Sequence, residues 1–178
     1  MSTPTIPVIQ NKHPKLPTYN MHEIAFGKNF TDHMLVADYE NGEWKNVVIK
    51  PFEPIQLDPS CATLHYGQTI FEGIKAFKNQ KEEVVIFRPD QNFIRFNLSA
   101  QRMQMPTVPE WLFIEGMKQL IDVERGWVPN LPECSLYIRP FMIATDPFLG
   151  VRPSQTYKFM IILGPSGAYF SAPMKILI

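Results

Sequence analysis

Apolar residues gather in two strand-like runs, Met34–Tyr39 and Trp44–Lys50. Between them stands Glu40-Asn41-Gly42-Glu43, and Asn-Gly between two such runs predicts a hairpin. Pro51 and Pro54 break the ladder, after which Ile55–Leu57 predicts a short edge strand. Ile74–Phe77 and Glu83–Phe87 predict two more strands, joined by the polar turn Lys78–Glu82. The period then changes. Phe93, Phe96, Ala100 and Met103 recur at three and four residues, predicting a helix over Asp90–Gln104 that Pro106 stops. Arg95 and Arg102 share another flank of it. Thr107-Val108-Pro109-Glu110 is a capping-box signature for a second helix, with Phe113, Met117, Leu120 and Ile121 as its buried stripe and Gly126 as its end. Cys134–Thr145 and Tyr157–Leu163 are longer strands around the loop Asp146–Gln155. Gly164–Gly167 reads as a sharp turn, and Met174–Ile178 as the opening of one more strand.

Hairpins, then two helices, then long strands predict an α+β fold: a mostly antiparallel sheet with two main helices packed on it. Residues 1–25, with Pro4, Pro7, Pro14 and Pro17, read as an N-terminal arm lying on the surface or on a partner. Residues 26–165 read as a small α+β domain, and 166–178 as an interdomain linker with the first strand expected of a further, large domain.

Composition narrows the function classes. Lysine plus arginine equals aspartate plus glutamate at 17 each, with no long like-charge block, so nothing argues for nucleic acid or an anionic membrane. No apolar run is long enough to span a bilayer, and Met1–Pro7 lacks signal-peptide character; the expectation is a soluble cytoplasmic protein. Cys61 and Cys134 make no C-x-x-C pair. His13, His22, His33 and His65 are scattered without metal-ligand spacing, so no metal site is expected. No G-x-S-x-G elbow or phosphate-cradling glycine loop occurs.

Three stretches carry candidate chemistry. Leu64–Phe77 sets Tyr66 and Phe71 between Gly67 and Gly73, which makes either a connection feeding the core or an apolar ligand wall. In Leu136–Pro140 and beyond, Tyr137, Arg139, Phe141 and Ile143 share one strand face, opposite Leu136, Ile138 and Met142. A guanidinium in that apolar run faces water at an edge or meets an acidic group, carbonyls or an anionic ligand. Arg95 is either a solvated helix residue or a bidentate anion binder.

Together these stretches resemble the branched-chain aminotransferases, pyridoxal-phosphate enzymes that share a fold with D-amino-acid aminotransferase and aminodeoxychorismate lyase. The resemblance rests on Phe26-Gly-x-x-Phe-Thr-Asp-His-Met, Leu64-His-Tyr-Gly-x-x-x-Phe-Glu-Gly-x-Lys-Ala-Phe and Phe87-Arg-Pro-x-x-Asn-x-x-Arg95. It continues with Leu136-Tyr-x-Arg-Pro140, Leu149-Gly-Val and Gly164-Pro-x-Gly-x-Tyr169. It implies the small domain of that fold and amino transfer between leucine, isoleucine or valine and 2-oxoglutarate in a homodimer. By motif position Arg95 would hold the cofactor's phosphate. Phe26, Tyr66, Phe71, Tyr137, Leu149 and Tyr169 would wall the side-chain pocket, some of them in the neighbouring subunit's site. Arg139 would help accept glutamate's distal carboxylate. The family's catalytic lysine follows the Gly-x-Tyr turn by roughly thirty residues; Lys175 is not at that place. The resemblance therefore implies a truncated small domain, inactive alone and with no catalytic residue of its own. The alternatives are a D-amino-acid aminotransferase or aminodeoxychorismate lyase of the same fold, or a stand-alone binding and dimerisation module.

Overall fold

A computed structural model describes residues 4–167. Tyr169, Lys175 and the predicted strand Met174–Ile178 lie outside the described residues. In chain order the elements are β1 (His33–Glu40), β2 (Glu43–Pro51), α1 (Ala62–Tyr66), β3 (Thr69–Phe71), β4 (Ile74–Lys78) and β5 (Val84–Ile86). Then follow α2 (Pro89–Arg102), α3 (Gly116–Val123), β6 (Ser135–Ala144) and β7 (Tyr157–Ser166). Among the described residues the strands form one seven-stranded antiparallel sheet, ordered β2-β1-β7-β6-β4-β5, with β3 also paired to β6.

Local chemistry explains much of this. Asn41 and Gly42 take φ of 53° and 84°, the two left-handed residues that a tight hairpin needs, and Glu40 pairs with Glu43 across it. Helix α2 opens with Pro89 in its first turn, where a missing N–H costs nothing. One sheet face lies under the helices: Leu35, Leu136, Ile138, Met142, Phe159 and Ile161 pack with Phe96, Phe113, Met117 and Leu120. Phe113 sits 5.3 Å from Phe96 and 6.0 Å from Phe159, ring centre to ring centre. The other face carries a smaller cluster, Met34, Val36, Ile143 and Met160, partly covered by Ile55 and Leu57.

Several expectations are corrected. Ile55–Leu57 is not a strand; its apolar side chains pack down on that second cluster, with no ladder. The capping box does not form. Asn97 instead satisfies Val108, accepting its N–H at 2.8 Å and donating to its carbonyl at 2.9 Å, and the helix enters through a π-helical turn at Trp111–Glu115. That helix ends at Val123, before Gly126, which falls in a 3-10 turn where a Cβ would stand 2.5 Å from Leu16. Gly164–Gly167 is not a sharp turn: β7 runs on through Ser166, which pairs with Ser135.

The N-terminal arm lies along its own domain. Ile6 enters the core, and Val8 bridges Ile49 at the edge of β2. Asn11 N–H donates to His33 Nε2 at 2.9 Å, so the His33 proton sits on Nδ1 and is donated to buried Glu124. Burial raises the Glu124 carboxyl above its ordinary range, against the opposing pull of His33 and the Asp32 amide.

Candidate functional site

The predicted polar stripe occupies the sheet face turned away from the helices. On β6, Leu136, Ile138 and Met142 are buried while Tyr137, Arg139 and Phe141 are half-buried on the opposite side, as alternation requires. Arg139 donates to the Tyr137 hydroxyl twice, from Nη2 at 2.7 Å and from Nε at 3.1 Å. The guanidinium carbon lies 4.2 Å from the ring centre of Phe71, which β3 sets opposite Phe141. A phenol oxygen and a ring face orient the cation without neutralising it. Phe26 meets Tyr137 edge-on at 5.1 Å and 85°.

Two close backbone approaches build this group. A Cβ on Gly73 would stand 2.7 Å from the Tyr137 hydroxyl, so the phenol is seated against bare backbone. A Cβ on Gly164 would stand 2.6 Å from the Asn29 carbonyl, and Thr31 N–H donates to Leu163 O at 2.9 Å. The segment before β1 is thereby laid against β7. A cavity of about 240 Å³ results, lined by Phe26, Gly27, Asn29, Phe30, Tyr137, Arg139, Ile162, Leu163, Gly164 and Pro165. Its walls are apolar and its charged group is Arg139.

Arg95 leaves α2 toward solvent, its side chain 67% exposed, yet it is not loose. Its Nε and Nη2 each donate at 2.6 Å to the two oxygens of Glu72, whose side chain is only 5% exposed. Asn92 Nδ2 donates to the same carboxylate at 2.9 Å. Burial alone would raise the Glu72 carboxyl; the bonds from Arg95, Asn92 and the Gly73 amide, with the Arg95 charge, outweigh it and hold the carboxyl below its ordinary range. The same pairing raises the Arg95 guanidinium further.

Phe26, Phe71, Tyr137 and Arg139 are thus brought together. Tyr66, at the end of α1, and Leu149, in the loop after β6, are exposed and stand outside the cavity lining, while Tyr169 lies outside the described residues. Glu72 was missed as the partner of Arg95, with nothing local to signal it; Asn92 was missed as a second donor to Glu72, although the spacing Asn92-x-x-Arg95 puts those two side chains on one helix face. Asn29, Phe30 and Pro165 were missed because the end of β7 reads as a turn.

No family model matches the chain. It is 54% identical over 148 residues to a probable branched-chain-amino-acid aminotransferase of Staphylococcus epidermidis, covering 83% of this chain and 41% of that protein. It is 45% identical over 162 residues to branched-chain-amino-acid aminotransferase 2 of Bacillus subtilis, covering 90% and 45%. Among solved structures, the Escherichia coli branched-chain amino acid aminotransferase is similar with a TM-score of 0.59 at 28% identity, over 79% of this chain and 42% of that one. A second branched-chain amino acid aminotransferase, solved in complex with N-(5'-phosphopyridoxyl)-L-glutamate, is similar with a TM-score of 0.55 at 30% identity, over 73% and 40%. These likenesses bear out the expected fold class: a mostly antiparallel sheet with few helices. The chain spans less than half the length of the curated relatives it matches. Among the described residues no helix is long and apolar enough to cross a membrane, and no cluster of metal-ligating side chains occurs.

Proposed function

We propose that this chain, a relative of the branched-chain aminotransferases over most of its length, supplies the small-domain side of a pyridoxal-phosphate site that transfers the amino group of leucine, isoleucine or valine to 2-oxoglutarate. The observation that carries the reading is the cavity itself: apolar walls from Phe26, Ile162, Leu163 and Pro165, with one oriented guanidinium, Arg139. A branched aliphatic side chain gains by leaving water against such walls, while the distal carboxylate of glutamate finds a fixed cation in the same space. A pocket that accepts both kinds of substrate needs both features.

The residues present also fit the cofactor. Glu72 takes two of the N–H donors of Arg95, leaving about three of the guanidinium's five for a phosphate. Arg95 would hold that phosphate, and the bound cofactor supplies the electron sink for amino transfer. Tyr137 and Phe71 keep Arg139 aimed, and Phe26 keeps water from one wall. Tyr66, Leu149 and Tyr169 belong to the same reading as further wall residues, some of them serving a second subunit of a homodimer. A cytoplasmic setting accompanies it.

The test is a chimera in which the portion of the Bacillus subtilis relative outside the match completes this chain, assayed with leucine and 2-oxoglutarate. Glutamate formation is expected, and Arg139→Met should impair the glutamate and 2-oxoglutarate half-reaction far more than the leucine one. Absence of transamination, or a preference for D-alanine or aminodeoxychorismate, overturns the reading.

A further inference from the structure

The pair formed by Glu72 and Arg95 is asymmetric. Glu72 is the anchored end: its side chain is 5% exposed, and its carboxylate is held by Asn92 Nδ2 at 2.9 Å and by the amide of Gly73. Its own amide donates to Pro140 O at 2.9 Å, which ties it to the middle of the sheet. Arg95 is the exposed end, on a long side chain with considerable rotamer freedom. A planar fork gripped along the edge of Nε and Nη2 presents its other edge, Nη1 with the second N–H of Nη2, in one fixed direction.

We infer that Glu72 is a positioning residue for anion capture: it grips the inner edge of the Arg95 guanidinium so that the outer edge stands ready for a phosphate group. The inference rests on the reading of Arg95 as a phosphate holder and adds what aims it. It has a counter-intuitive consequence. Glu72 carries negative charge beside the incoming anion, so simple electrostatics has its removal tighten binding. Positioning has its removal weaken binding, because the ordering of a long side chain must then be met when the anion arrives. At an exposed guanidinium, where solvent screens the repulsion, positioning outweighs charge.

The experiment is a titration of this chain with inorganic phosphate, followed by NMR at the Arg95 Nε–Hε resonance. Wild type is compared with Glu72→Gln and with Asn92→Ala, the latter removing one tether on Glu72 and leaving the fork intact. Amide-shift dispersion reports folding for each variant. The expected result is a phosphate-dependent shift in wild type, affinity roughly three- to tenfold weaker in Glu72→Gln, and a smaller weakening in Asn92→Ala. If Glu72→Gln fails to fold, Asn92→Ala decides alone: unchanged or tighter binding overturns the inference. If wild type responds and Glu72→Gln binds as tightly or more tightly, Glu72 does not position Arg95, while Arg95 remains an anion site. No response at Arg95 in wild type overturns both.

Discussion

The Tyr137 hydroxyl lies 2.7 Å from the point where a Cβ on Gly73 would stand, with two ring carbons at 3.3 and 3.4 Å. That ring has little room to yield, since Arg139 bonds its oxygen and Phe26 meets it edge-on. Gly73→Ala should therefore push the phenol away from Arg139 and cost about 1–3 kcal/mol, the usual range for overpacking. Urea denaturation of the single and double variants checks this. In a Tyr137→Phe background, which removes the clashing oxygen, Gly73→Ala should cost distinctly less. Equal costs in the two backgrounds would place the strain elsewhere.

What could be read from the sequence follows the range of the interactions. The hairpin at Asn41-Gly42 and the two faces of β6 are written in adjacent residues, and the structure has both. The aromatic and guanidinium group of Tyr137, Arg139 and Phe71 was legible because alternation puts Tyr137 and Arg139 on one face and motif resemblance adds Phe71. The missed contacts join distant residues. Glu72 meets Arg95 across 23 positions, and Trp127 donates to Asp32 across 95. Local periodicity cannot carry such pairings. The capping box is a local signature too, and it does not form; the backbone of Val108 is met instead by Asn97, ten positions before that signature.

Asp32 clasps the N-terminal arm to the helical layer. Its carboxyl accepts the Lys15 amide at 2.7 Å, the Leu16 amide at 3.4 Å and the Trp127 indole N–H at 2.9 Å. Asp32→Ala orphans these donors; the Trp127 indole N–H is buried, and a buried unmet donor costs on the order of 1–3 kcal/mol, whereas the part-buried Lys15 and Leu16 amides can turn to water. The expected outcome is a loss of about 1–3 kcal/mol together with faster proteolysis between residues 4 and 20. Limited digestion read by mass spectrometry, with indole emission as a second signal, checks it. Unchanged cleavage of the arm would mean that Ile6 and the pairing with Ile49 hold it without Asp32.

Two phenylalanines should separate stability from site chemistry. Phe159 is fully buried, its ring 5.6 Å from Phe96 and 6.0 Å from Phe113, so Phe159→Ala should cost about 3–5 kcal/mol. Phe71 is 60% exposed and serves mainly as the ring beneath Arg139. Phe71→Ala should cost no more than about 1 kcal/mol, the worth of an exposed cation–π contact, while the Arg139 Nε–Hε signal broadens or moves. Denaturation curves and side-chain NMR on the two variants distinguish the roles. A large stability loss in Phe71→Ala would make it a core residue.

Glu72 should also leave a mark on acid unfolding. Its carboxyl titrates below the ordinary range when folded, because its bonds to Arg95, Asn92 and Gly73 favour the ionised form over the cost of burial. The sign follows from linkage: the unfolded chain takes up this proton at higher pH than the folded one. The pair thus contributes its full stability above the ordinary carboxylate range, and that contribution is lost as pH falls through the depressed folded value. Glu72→Gln cannot take up the proton, so the stabilities of wild type and variant should differ at neutral pH and converge as the solution is acidified. Added salt should narrow the neutral gap, since the Arg95 end is open to solvent. Urea midpoints across that acid range measure it, and parallel curves that never converge would sink the assignment of the depressed carboxyl to Glu72.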